Sequence, residues 1–289
     1  MVDWVLGVIG GSGLYDIDGL ENRRWIKIET PWGAPSDELL TGELDGVRLV
    51  FLPRHARGHR ITPSGLPVRA NIAALKIAGC TDILSLSAVG SLREALSPGS
   101  FVVVDQFIDR TFAREKSFFG DGFVAHVSMA DPVCPRLSAL AAQAGREAGA
   151  SLVEGGTYLC MEGPQFSTRA ESLLYRSWNC DVIGMTNMPE AKLAREAELP
   201  YASVAMVTDY DCWREGDDHV DVAQIIACLN ANAARARELV RALAAKLARP
   251  RPPSPIDTAL DTALITAPEA RDAAMIERLR PIVGRALAL

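Results

Sequence analysis

Hydrophobic residues fall along this chain in short unbroken runs instead of alternating ones: Trp4–Ile9, Val47–Leu52, Ile83–Ala88, Phe101–Val104, Gly156–Met161, Val182–Met185 and Ala202–Val207. Such runs suit strands covered on both faces. Between them lie helical patterns at Pro67–Ala78, Pro135–Ala148, Thr168–Trp178, Pro189–Ala197 and Val220–Ala248, the last a long Ala/Leu-rich stretch. Pro63 and Gly65 punctuate the chain before the first helix, and the turn signal DPVCP precedes the second. The alternation predicts one α/β domain with a mixed or mainly parallel central sheet and helices outside it. After Leu247 the chain reads ARPRPPSP, which cannot continue a helix. The organisation expected is therefore a body over 1–248, then a Pro-rich connector and helical tail over 249–289. The tail is expected to dock on the same body or on a neighbouring subunit.

Composition narrows the function classes. A net charge of -6 with no basic run argues against a nucleic-acid partner or an anionic membrane surface. No segment reaches the ~18 uninterrupted apolar residues of a membrane span. The opening Met-Val-Asp-Trp lacks a basic n-region, so a cytoplasmic location is expected. Cys80, Cys134, Cys160, Cys180, Cys212 and Cys228 are scattered without a CxxC pair. They read as buried thiols of a reduced compartment, not as disulfides or a metal site, and no metal is expected.

In open α/β sheets ligands bind at the carboxyl ends of strands, so the residues following each strand form the natural inventory. The first strand runs into Gly10-Gly11-Ser12-Gly13. Neither familiar phosphate loop fits: Asp16 stands where a dinucleotide loop needs its third glycine, and no lysine occurs before Lys27. After the second comes PRHARGH, carrying Arg54, His55 and His59; after the third, Ser87-Ala88-Val89-Gly90. Met185-Thr186-Asn187 and Thr208-Asp209-Tyr210-Asp211 follow the last two. The first four loops offer hydroxyls, amides, an arginine and a histidine, suited to a small oxyanion. Only the last supplies two carboxylates. An anion cradle beside an acidic pair suggests phosphate meeting a substrate whose leaving group must be protonated or hydrogen-bonded. Taken singly, each loop also has a plain structural reading: a tight turn, a surface pair, close strand–helix packing, a helix cap. Their shared position at one end of the sheet favours a site. His126 has no local partner and His219 sits in an acidic run, EGDDHVDV.

The segments VIGGSGLYD, LPRHARGHRITPS, SAVGSLREALSPGSFVVVDQFIDRT, YLCMEGPQFSTRAES, VIGMTNMPEAKLAREAELPYA and MVTDYDCW together resemble the 5'-methylthioadenosine phosphorylase branch of the trimeric purine nucleoside phosphorylases. The resemblance spans about residues 4 to 246 and implies a single-domain phosphorylase fold assembled as a homotrimer. It implies phosphate held by Ser12, Arg54, His55, Ser87, the amide of Ala88, and Thr186. Met185 would lie against the ribose, Phe166 and Ser167 would line the nucleoside pocket, and Asp209 and Asp211, with Tyr210 between them, would address the base. By the same pattern Ser167, Val220, Val222 and Ile226, with Ile225 beside it, would form the wall around the 5' group, which His126 of a neighbouring subunit would approach.

The implied reaction is phosphorolysis of S-methyl-5'-thioadenosine, with inorganic phosphate as co-substrate and no other cofactor. Asp209 would donate a proton to N7 of the leaving purine, which requires its pKa to be raised. An ionised carboxylate only accepts hydrogen bonds, so TDYD favours a 6-aminopurine over a 6-oxopurine. A 5'-methylthioinosine or broader purine nucleoside phosphorylase remains the alternative within the class. A nucleoside-binding sensor without chemistry is the alternative outside it, disfavoured because a binder needs no protonatable partner for a departing base.

Overall fold

The computed structural model describes residues 3–11, 13–214, 222–247 and 250–289. Ser12, His219 and Val220 lie outside the described residues, as do the side chains of Val222 and Ile225. Strands β1 (Val5–Gly10), β4 (Val47–Pro53), β5 (Asp82–Ser91), β6 (Ser100–Val104), β9 (Thr157–Met161), β10 (Val182–Gly184) and β11 (Tyr201–Asp209) form on the seven apolar runs. Four further strands, β2 (Glu21–Ile26), β3 (Leu39–Leu44), β7 (Gln106–Arg110) and β8 (Ser151–Glu154), go beyond the sequence reading. Three of these carry mostly exposed or half-exposed residues, as sheet margins do, and so lack the apolar run that marks a central strand.

The helices are α1 (Val68–Ile77), α2 (Pro135–Glu147), α3 (Arg169–Ser177), α4 (Asn187–Glu196), α5 (Val222–Lys246) and α6 (Ala273–Leu287). α3 starts where its sequence directs: Thr168 accepts from the Glu171 amide while Glu171 accepts from that of Thr168, a reciprocal cap.

The sheet is mixed, running β2-β3-β4-β1-β5-β10-β9-β7, and it forks at β5, which also pairs with β11 and through it with β6 and β8. Period-two alternation divides the core between the two faces. Leu6 and Val8 of β1, with Ala202, Val204 and Met206 of β11, pack towards α2 and α5. Ile9, Ala205 and Val207 face α1, α4 and α6.

The fork creates the opening that matters. β1 accompanies β5 only as far as Ile9 opposite Ser85. β10 takes over, antiparallel, at Gly90 and Ser91. Between them, residues 86–89 of β5 have a strand neighbour on one side only, β11. Backbone groups and side chains of this interval are thereby left to a site, the topological switch at which α/β sheets bind ligands.

The tail lies along the body. Arg251 reaches the fully buried Asp82 at the start of β5, and Asp257 pairs with the same guanidinium. Arg285 of α6 holds Glu198 through two contacts of 2.6 Å, and Leu264 bridges Ala125.

Candidate active site

At the carboxyl ends of β1 and β4, the Arg54 amide donates to the Gly10 carbonyl at 2.9 Å, tying the glycine loop to the PRH turn. Gly10 is glycine for space: a methyl group there would fall 2.1 Å from a Leu14 methyl. Gly13 adopts φ +91°, a conformation that suits glycine.

The resemblance implies that Arg54 holds phosphate; in the structure most of its guanidinium is engaged by the protein itself, above all by a carboxylate. Nε donates to Glu190 Oε2 at 2.9 Å and Nη2 to Oε1 at 3.1 Å. Nη2 also donates to Ser85 Oγ and Nη1 to the Leu86 carbonyl, one of the backbone groups in the interval the fork leaves open. Four of the five N–H donors are thus committed, and one on Nη1 is left for a ligand. Tyr201 Oη and Ser85 Oγ also donate to Glu190 Oε1, and Asn187 donates to Ser85 and accepts from Ser203. This network sits directly beneath the strand ends.

His55 departs from the charged donor that an anion would favour. Its Nδ1 lies 2.8 Å from the Ile61 carbonyl, which only accepts, so Nδ1 carries the proton. Burial, reinforced by the nearby Arg54 charge, lowers the imidazole pKa to about 4. His59 stacks on it with ring centroids 4.3 Å apart. His55 is therefore neutral at pH 7, with Nε2 as a hydrogen-bond acceptor.

Ser87 of β5 and Thr186 at the N-cap of α4 are both buried. Their hydroxyls, and that of Tyr158 on β9, form no well-aligned hydrogen bond among the described residues. Tyr158 lies close to both, and its burial pushes the phenol well above its ordinary pKa. Gly184 makes room for it, since a methyl group there would fall 2.0 Å from the Tyr158 hydroxyl. The Tyr158 hydroxyl interacts with those of Ser87 and Thr186, so the three face one another, and each keeps hydrogen-bonding capacity to spare at the strand ends. Ala88, exposed beside Ser87, leaves their meeting point open.

The carboxylates stand on the adjacent strand. Asp209 pairs in register with Gly90, and Ala205 with Ser87. Three residues of strand, roughly 10 Å, therefore separate the hydroxyls from the acid. Asp209 Oδ1 accepts from the Asp211 amide at 2.8 Å, and Oδ2 lies 2.7 Å from Thr208 Oγ1. Burial raises the pKa of Asp209. It also raises that of Asp211, which has φ +52° and whose carboxyl interacts with the Ser172 and Ser167 hydroxyls. Tyr210 turns elsewhere: its hydroxyl is 3.5 Å from the Glu94 carbonyl and its ring meets Trp213 edge-on.

The loops that follow β9 and β10 are locked together by Arg114, a residue the sequence reading missed. Its Nη1 donates to the Met185 and Met188 carbonyls at 2.6 and 2.8 Å, and Nη2 to the Glu162 carbonyl at 2.6 Å. Burial works against the charge of Glu162, but the Ser64 hydroxyl, the Phe112 and Ala113 amides and Arg114 outweigh it and hold the pKa at about 2. Met185 lies over Gly163, where a methyl group would meet its sulfur at 2.5 Å. Ser167 is tied to the acidic loop through its carbonyl, which accepts from Cys212 at 3.2 Å. Phe166 is 55% exposed and Ile226, on α5, 51%.

His126 does not join this cleft within one chain. It is exposed and lines a cavity of about 410 Å³ with Lys116, Phe119, Met129, Lys192 and Glu196. Tyr158 and Glu190 sit inside β9 and α4, and Arg114 lies in the long connection between β7 and α2; none directly follows an apolar run, and only tertiary packing points them at the strand ends.

Converging hydroxyls and an acidic pair stand on neighbouring strands at a sheet fork, and residues 5–245 match the phosphorylase superfamily. The S-methyl-5'-thioadenosine phosphorylase of Cereibacter sphaeroides is 63% identical over 285 residues, 98% of each chain. The crystal structure of a methylthioadenosine phosphorylase from an Antarctic soil metagenomic library matches with a TM-score of 0.92 at 50% identity, covering 98% of this chain and 99% of that one. The methylthioadenosine phosphorylase from Schistosoma mansoni in complex with adenine matches with a TM-score of 0.79 at 39% identity, covering 84% and 91%. The chain belongs to the phosphorylase superfamily and, within it, to the 5'-methylthioadenosine phosphorylases.

Proposed function

We propose that this protein catalyses phosphorolysis of S-methyl-5'-thioadenosine to adenine and 5-methylthioribose-1-phosphate. The observation that carries the site assignment is the convergence of the buried Ser87 and Thr186 hydroxyls at the strand ends, with Ser87 three residues along β5 from the partner of Asp209. Phosphate takes those hydroxyls, the Ala88 amide, Ser12, and the remaining Nη1 donor of Arg54. Neutral His55 accepts from the protonated oxygen of monohydrogen phosphate. Arg54 acts as a half-neutralised cation, because Glu190 shares its charge.

As the glycosidic bond stretches, the sugar becomes oxocarbenium-like and its bonding pair departs with the purine. Phosphate closes on the anomeric carbon, and its charge stabilises the cationic sugar. Asp209, whose pKa burial raises, donates to N7; such donation is typically worth about 10²–10⁴-fold. Asp211 accepts from the exocyclic amine. Met185, Phe166 and Ser167 enclose the nucleoside, and Ile226 faces the 5' methylthio group, the role that the resemblance also gives to Val220 and Val222. Inorganic phosphate is the only co-substrate this chemistry requires.

We assign the assembly as a homotrimer that brings His126 of a neighbour to the 5' end. Support comes from the apolar side chains left open on and beside α3, namely Leu173, Leu174 and Trp178. The six free cysteines favour a reducing, cytoplasmic setting.

Adenine release from S-methyl-5'-thioadenosine, with and without phosphate, tests the reading. Release should depend on phosphate, and Asp209→Asn should cut turnover by about 10²-fold or more while phosphate affinity stays within a few-fold. Phosphate-independent release would overturn it, and so would a preference for inosine among nucleoside substrates.

A further inference from the structure

Thr208 precedes Asp209 on β11 and is buried. Its Oγ1 lies 3.1 Å from the Val89 carbonyl of β5 and 2.7 Å from Asp209 Oδ2. A hydroxyl has one proton to give and two lone pairs to receive with. The Val89 carbonyl only accepts, so when the Thr208 proton points there, the short contact to Oδ2 needs a proton on the carboxyl. When the carboxyl is ionised, the Thr208 proton must turn to it. Asp209 Oδ1 is already an acceptor for the Asp211 amide at 2.8 Å, which leaves Oδ2 as the atom that carries the acid's proton. Gly90 keeps the geometry tight, since a methyl group there would meet Asp209 Oδ1 at 3.0 Å.

We propose that Thr208 is the positioning residue that serves both protonation states of Asp209, accepting from the acid and donating to the carboxylate by rotation of a single O–H bond. The proposal rests on the phosphorolysis reading and deepens it. During turnover the C–N bond breaks with its electron pair going to the purine, a phosphate oxygen bonds to the anomeric carbon, and the Oδ2 proton turns out of its hydrogen bond to Thr208 and passes to N7. Thr208 then swings its proton from Val89 to the new carboxylate. The proton shed by the phosphate ester product balances the one that Asp209 recovers from solvent.

Among the described residues, the titratable groups facing Asp209 are Asp211 on its own loop and the Cys228 thiol of α5, while β5 contributes only Gly90 and the Val89 carbonyl. Donation from Thr208 favours the ionised form and works against burial. Removing the hydroxyl must therefore raise the Asp209 pKa.

The test is the pH dependence of phosphorolysis by the full-length protein. Thr208→Val should lower kcat by about ten- to a hundred-fold, because the nascent carboxylate loses a donor. It should move the alkaline limb of the profile to higher pH and leave the KM for phosphate within two-fold. Thr208→Ser should restore both kcat and the limb. If Thr208→Val does not fold, Thr208→Ala removes the same hydroxyl with less bulk and carries the same expectations. An alkaline limb that is abolished in Asp209→Asn but unmoved in the hydroxyl-less variants would overturn the inference while leaving phosphorolysis intact. Absence of phosphate-dependent cleavage by the unaltered enzyme would instead sink the underlying reading. A uniform loss of kcat and phosphate affinity with no shift of the limb would mark Thr208 as merely structural.

Discussion

Arg54 and Glu190, 136 residues apart in the chain, meet in a two-pronged ion pair with bonds of 2.9 and 3.1 Å. Their side chains are only 2% and 4% exposed. The pair joins the turn after β4 to α4, the two segments that carry His55 and Thr186. Desolvating both charges is costly, but removing one partner is costlier, because it strands the other.

Glu190→Gln should therefore destabilise the protein by about 3–5 kcal/mol, seen as a lowered denaturation midpoint. Phosphate should recover more of that loss than it adds to the unaltered protein, since the anion then neutralises the stranded guanidinium. Equal protection of both proteins by phosphate would count against Arg54 reaching the anion at all. Arg54→Lys should not substitute, because an ammonium cannot form the fork.

Gly90 lies beneath both acids. A methyl group there would stand 3.0 Å from Asp209 Oδ1, 3.2 Å from an Ile183 methyl and 3.4 Å from the Asp211 Cβ. Gly90→Ala should fold, because each neighbour needs to yield only slightly, yet it should lower kcat by about 10-fold or more by displacing the acid. Full activity with an unchanged melting temperature would show that this contact relaxes without consequence.

Asp211 sets the base preference if its carboxylate accepts from a 6-amino group. Asp211→Asn offers a donor in its place, so the ratio of kcat/KM for 6-amino over 6-oxo nucleosides should fall. The change should correspond to about 1–3 kcal/mol, the cost of a mispaired buried polar group. Parallel losses on both substrates would assign Asp211 to loop structure instead.

Glu196 on α4 gives the fold a pH dependence of its own. Burial raises its pKa to about 7, against the pull of the Phe118 amide and the Ser117 hydroxyl. The folded state then binds a proton that the unfolded state releases near the ordinary glutamate value of 4.5. Stability from this group is complete below that lower value and is lost as pH rises towards about 7. Urea midpoints measured between those limits should fall with pH, and Glu196→Gln should flatten the slope.

The strand-end loops were legible in the sequence because they follow apolar runs, whose burial is dictated by composition alone. So was the class of chemistry, since hydroxyls, amides and paired carboxylates at one end of a sheet have few other uses. Legibility stopped where a residue's role depends on a partner distant in sequence. Arg54 has no acidic partner near it in sequence, and the fold gives it Glu190. Tyr158 lies inside an apolar run with no local sign of a role, yet the space left by Gly184 brings its hydroxyl to Ser87 and Thr186. The polar margins β2, β7 and β8 carry no apolar signature, because their strand form comes from hydrogen bonding to neighbours.

Local sequence, then, determined the apolar strands, the helices, the loops and the inventory of reactive groups, because burial and turn chemistry act over a few residues. Tertiary structure alone decided which groups are charged, paired or left open. Those properties depend on dielectric surroundings and partners that β5 brings together by forking between β1, β10 and β11.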